Sequence, residues 1–95
     1  MIQIESMYVI YNKRFQKKYS KISEKIKNAF KRRLRLLQEG RDFSQLAIHN
    51  LHGKWKGYKS MNVNGDWRAI YHELENGEIE WVEFVEIGTH SQLYK

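Results

Sequence analysis

Three short stretches in the second half of the chain carry residue types that acid–base and phosphate chemistry use. They are Gly53-Lys54-Trp55-Lys56-Gly57-Tyr58, Gly65-Asp66-Trp67-Arg68-Ala69-Ile70-Tyr71 and Gly88-Thr89-His90-Ser91-Gln92-Leu93-Tyr94. A histidine titrates near neutral pH, so it can give or take a proton under ordinary conditions. Lysines interleaved with aromatic rings suit a polyanion whose bases can stack. The three stretches therefore read as a strand-rich surface for RNA. His49 and His52 precede the first of them. Their spacing suits a metal pair, but two histidines without a clear third ligand seldom make a site, and no metal or other cofactor is expected.

These residues need a scaffold. Met7-Tyr8-Val9-Ile10-Tyr11 is β-branched and aromatic and predicts a first strand, with residues 1–6 as an extension. From Asn12 the period becomes helical: Phe15, Tyr19, Ile22, Ile26, Ala29, Phe30, Leu34 and Leu37 form one apolar stripe. That stripe is core, not a ligand pocket. Ser20 or Ser23 caps a second helix and Gly40 stops it, giving a helical hairpin over about 13–39. Residues 41–52 read as a loop. Strands are expected over 55–63, 67–74 and 79–87, joined at Asn64-Gly65 and at Glu75-Asn76-Gly77-Glu78. Asn-Gly is a strong hairpin signal because both residues tolerate positive φ. In the last strand Ile79, Trp81, Val85 and Ile87 are expected to face the core, with Glu80, Val82, Phe84 and Glu86 on the other side. If the helices cover the core face, the opposite face is left open to a ligand or partner segment.

Ninety-five residues suit a single α+β domain over 1–95. The chain has no cysteine, which excludes disulfides and thiolate zinc sites and suits a reducing, cytoplasmic setting. No apolar run is long enough to span a bilayer, so no membrane partner is expected. The net charge of +6 is unevenly placed, because Lys13 to Arg41 holds twelve Lys or Arg against Glu24 and Glu39. Such an asymmetry points to a polyanion or an acidic protein, although a basic run is also what a solvated helix face looks like.

The three stretches, in this order after a basic helical hairpin, resemble the RelE/ParE superfamily of bacterial toxins, nearest to the YafQ-like mRNA interferases. The resemblance spans nearly the whole chain, with its specific part over about 49–94. It implies a RelE-like twisted antiparallel β-sheet packed on an N-terminal helical hairpin. It also implies a type II toxin that enters the ribosomal A site against ribosomal RNA, cuts messenger RNA and is neutralised by a cognate acidic antitoxin. Cleavage without metal uses the 2′-hydroxyl of the RNA as nucleophile, so the protein must remove one proton, supply another and stabilise added charge.

Carried over from YafQ-like toxins, the functional positions are His49, Asp66, Trp67, His90 and Tyr94. The resemblance makes His90 the general acid, Asp66 or His49 the general base, and Tyr94 the ring that stacks on a base, with Lys54, Lys56, Lys59 and Arg68 beside phosphate. Plainer alternatives stand beside these. Trp67 is a core residue, Asp66 a turn residue after Gly65, His90 a turn cap, and His72 a sheet residue. Two positions depart from the pattern. Asn62 stands where YafQ-like toxins have a histidine, and an amide cannot exchange protons near neutral pH. Glu86 stands where they have an arginine, and a carboxylate there repels phosphate unless a cation such as Arg68 neutralises it. These departures keep a second function open: a toxin that acts by binding, either to DNA gyrase or to its antitoxin alone. A third is a nucleic-acid binder in a regulatory complex.

Overall fold

The computed structural model describes residues 7–40, 43–76 and 79–94. The expected extension over 1–6 and the Gly77-Glu78 half of the second hairpin turn lie outside these residues. The elements run β1 (Tyr8–Tyr11), α1 (Lys13–Tyr19), α2 (Glu24–Glu39), β2 (His49–Asn50), β3 (Lys59–Asn64), β4 (Trp67–Asn76), β5 (Ile79–Thr89) and α3 (His90–Leu93). Short 3₁₀ turns cover Phe43–Leu46 and Gly53–Trp55.

Local chemistry sets the helix ends. The Asn12 side chain accepts the Phe15 N–H and starts α1. Ser23, one of the two expected caps, accepts the Ile26 N–H and starts α2. Gly40 ends α2 in the left-handed region, its N–H reaching the carbonyls of Leu36 and Leu37. The hairpin is thus present, and its apolar stripe is core, with Phe15, Ile26, Ala29, Phe30 and Leu37 all buried.

The sheet order is β1-β5-β4-β3-β2. Its centre is the expected antiparallel meander of β3, β4 and β5. Two edge strands were not foreseen as sheet partners. β1 lies parallel to β5, from Tyr8 opposite Trp81 to Tyr11 opposite Phe84, and β2 adds His49 and Asn50 antiparallel to β3. The first strand of the meander starts at Lys59 instead of residue 55. The Gly53–Trp55 turn and Gly57, at φ 95°, fold the chain back on itself first, and only glycine takes that angle without strain. No helix among the described residues is long and apolar enough to cross a membrane.

The expected core face of β5 needs correction. Ile70 pairs with Glu86 and Tyr71 with Phe84, which leaves Val85 as an extra residue in a bulge. An inserted residue reverses the in–out alternation beyond it. Val82, Phe84 and Ile87 therefore share the face packed on α1 and α2, here called proximal. Of the expected core set, Ile87 joins them. Trp81 instead stacks on Tyr8 with ring centroids 4.8 Å apart, and Val85 packs on the other, distal face. The side chain of Ile79 is outside the described ones. Phe84 sits at the middle of an aromatic group formed with Tyr11, Phe15, Phe30 and Tyr71.

Burial, aided by the Glu73 carboxylate, pushes the Tyr71 hydroxyl up from 10.0 to about 12. The neutral form is thus favoured in the folded protein, so this contribution to stability is intact below the unfolded pKa and is lost as pH rises through the folded one. Unfolding midpoints in urea are expected to hold up to pH 10.0 and fall towards pH 12. Tyr71→Phe should shrink that fall. An equal fall in the variant would remove Tyr71 as its source.

Candidate functional site

One end of the sheet gathers several of the expected residues. The β3–β4 turn passes through Gly65, whose carbonyl accepts from Asn62 Nδ2 at 3.2 Å and from Arg68 Nη1 at 2.9 Å. The next carbonyl, that of Asp66, accepts the His90 backbone N–H at 3.0 Å. Asp66 and His90, far apart in sequence, thereby meet at one corner, and both are exposed.

The Gly88–Tyr94 stretch builds His90's side of this corner. A Cβ at Gly88 would come within 2.8 Å of Gln92 Oε1 and 3.2 Å of Lys18 Nζ, so the position favours a residue without a side chain. Thr89 and Gln92 form a capping box that starts α3 at His90. Leu93 is buried against Ile70 and Val85 and holds α3 on the distal face. The Tyr94 ring packs at 63° against His90 with centroids 4.8 Å apart. The cap is Thr89, and the His90 ring is left exposed at the first position of the helix.

Across the distal face, His49 pairs with Ser60 and is exposed. Residues paired across strands share a face, so His49 stands on the side of Ser60 and Ile70, about 7 Å along the strand from the Asn62–Arg68 pair. Between His49 and the corner lies an apolar floor of Ile70, Val85 and Leu93, joined by Leu51, Trp55, Tyr58 and Tyr94. Trp55 anchors the turn that carries the exposed Lys54 and leads into the exposed Lys56, placing both at the border of this floor. Buried Trp55 Nε1 has no hydrogen-bond partner among the described residues.

Two expected substrate contacts are set apart from this group. Lys59 pairs with Tyr71 in the ladder, which puts it on the proximal side, and its Nζ is 3.2 Å from Glu73. Trp67 is half-buried against the proximal core, as the plainer reading of that residue had it. His72 lies beyond the apolar floor, 2.7 Å from Glu83 Oε1 and stacked on Tyr58. Among the described residues no three acidic or histidine side chains are grouped as metal ligands, and His49 and His52 gain no third partner.

The cations that neutralise Glu86 are two residues of α1, and not Arg68, the example suggested by the sequence. Glu86 is 4% exposed and turned towards α1, where Arg14 Nε lies 2.6 Å from Oε2 and Lys18 Nζ lies 3.2 Å from Oε1. Arg68 spends Nη1 on the Gly65 and Trp67 carbonyls instead. Sequence reasoning missed Arg14 and Lys18, which looked like part of a solvated helix face. Their i, i+4 spacing on α1 is visible in the sequence, but nothing local links them to a strand residue so distant.

Comparison with known proteins agrees with this architecture. The family described as bacterial toxin of type II toxin–antitoxin system, YafQ, matches residues 7–95. The YafQ homologue of Haemophilus influenzae is 36% identical over 44 residues, a stretch that is 46% of this chain and 43% of that protein, so the alignment spans less than half of that relative. The crystal structure of YafQ from E. coli strain BL21(DE3) superposes with a TM-score of 0.71 at 26% identity, covering 92% of this chain and 97% of that one. The E. coli DinJ–YafQ toxin–antitoxin complex gives 0.70 at 26% identity, covering 96% and 100%. With the family match running through every described element, from β1 to α3, the chain belongs to the YafQ family of bacterial toxins of type II toxin–antitoxin systems.

Proposed function

We propose that this toxin is a ribosome-dependent messenger RNA endoribonuclease that needs no metal. The observation that carries the reading is the bond from His90 N–H to the Asp66 carbonyl, which brings a carboxylate and a histidine to one exposed corner. Asp66 takes the 2′-hydroxyl proton, with His49 across the distal face as the other candidate base. The freed 2′-oxygen attacks the adjacent phosphorus, and the 5′-oxygen leaves with a proton from His90. The products are a 2′,3′-cyclic phosphate and a 5′-hydroxyl end. Tyr94 offers a ring for a base, while Arg68, Lys54 and Lys56 supply positive charge. Asn62 holds the Gly65 carbonyl and takes no proton.

The antitoxin is a small acidic protein that folds over the basic surface of α1 and α2. The likeness to the DinJ–YafQ complex and the ten Lys and Arg of these two helices support that partner. The test is induction in cells of the wild type and of a His90→Ala/Asp66→Ala double variant, with mapping of transcript 5′ ends and an assay of DNA supercoiling. New 5′-hydroxyl ends inside reading frames are expected with the wild type alone, and supercoiling is expected to stay unchanged. Growth arrest with unaltered transcript ends defeats the reading, and a supercoiling defect would point to gyrase.

A further inference from the structure

We propose that Lys18 is the cation that stabilises the charge developing on the scissile phosphate, and that Glu86 is the residue that positions it. This rests on the endoribonuclease reading. In-line attack by the 2′-oxygen adds negative charge at phosphorus, and a fixed donor near that atom contributes most. The other cations near the corner are poorly suited. Lys54 and Lys56 are exposed on a surface turn, and Arg68 is turned onto two backbone carbonyls.

Lys18 differs from all of them. Its Nζ is held at 3.2 Å by a buried carboxylate, and it lies 3.2 Å from the point where a Gly88 side chain would begin. Gly88 is two residues before His90 and pairs with Arg68 in the ladder. The lysine thus reaches round the edge of β5 to the stretch that carries the proposed acid. Arg14 takes the other oxygen of Glu86. Two cations against one carboxylate leave a net positive charge beside the corner. An ammonium has three donors, so Lys18 can keep Glu86 and still offer a hydrogen to a phosphate oxygen. In this arrangement Glu86 does not repel the substrate, because its charge serves to hold a lysine in place.

The test uses purified toxin on ribosomes programmed with a short messenger RNA. It reads single-turnover cleavage, binding to the same RNA carrying a 2′-O-methyl group at the cut nucleotide, and thermal unfolding. Lys18→Met should slow cleavage by about 100-fold while changing binding by less than about threefold. Lys18→Arg should recover most of the rate. Glu86→Gln should lose about tenfold in rate, because the lysine stays but is less well held. A Lys18→Met enzyme that cuts within about threefold of the wild type overturns the proposal and leaves the nuclease reading standing. So does a loss that only tracks the unfolded fraction, or one that Lys18→Arg fails to relieve. A wild type that cuts no RNA overturns both.

Discussion

Replacing His90 with alanine is expected to lower single-turnover cleavage by about 10²–10⁴-fold, the usual contribution of a placed general acid, with little loss of fold. The separation of the two effects follows from how the corner is built. α3 is started by Thr89 and Gln92, anchored by Leu93 and tied to Asp66 through the His90 backbone, and alanine keeps each of these contacts. The ring itself gives up an edge contact with Tyr94, about 0.5–1.5 kcal/mol. The variant should therefore unfold near the wild-type temperature and bind an uncleavable RNA almost normally. Cleavage at the wild-type rate would remove His90 from the chemistry.

Phe84→Ala should have the largest effect on stability, a loss of about 3–5 kcal/mol. The side chain is fully buried, with ring centroids at 5.1 Å from Phe30, 5.2 Å from Tyr71, 5.7 Å from Phe15 and 6.1 Å from Tyr11. It also stands where β1, β5 and both long helices meet, so the cavity cannot close by moving one element. Small domains have only about 5–15 kcal/mol in total, and each kcal/mol moves the midpoint by about 4–8 °C, so a fall of more than about 12 °C is expected. Trp81→Ala and Val85→Ala serve as comparisons, because strict alternation along β5 would have placed those residues on the helix-packed face. Urea unfolding should rank Phe84→Ala as the most damaging of the three. A greater loss from Trp81→Ala would contradict the bulge.

That comparison marks where sequence reasoning stops on this fold. The helices were legible because a helical period, Ser23 and Gly40 act within a few residues of one another. The β3–β4 hairpin was legible at Asn64-Gly65 for the same reason. The bulge was not, since Val82, Phe84, Val85 and Ile87 are all good strand formers and none marks itself as the extra residue. β2 is two residues long and owes its existence to pairing with Ser60 and Lys59, which no local pattern announces. The candidate site divides in the same way. Its three stretches could be seen at once, and the Thr89 cap explains why one of them has its particular order. The direction of Glu86 depended on α1 reaching the far edge of β5, a contact set by topology.

The parallel pairing of β1 with β5 joins the first described strand to the last. During synthesis β1 and α1 emerge before their sheet partner, the counter-charge for Arg14 and Lys18, and His90, all of which lie on β5 or directly after it. Closing contacts across so much chain is entropically costly until the rest of the sheet is present. An unfinished chain therefore holds Asp66 without His90 and Lys18 without Glu86. Assembly of the corner therefore waits on β5, whatever helical structure has formed before it.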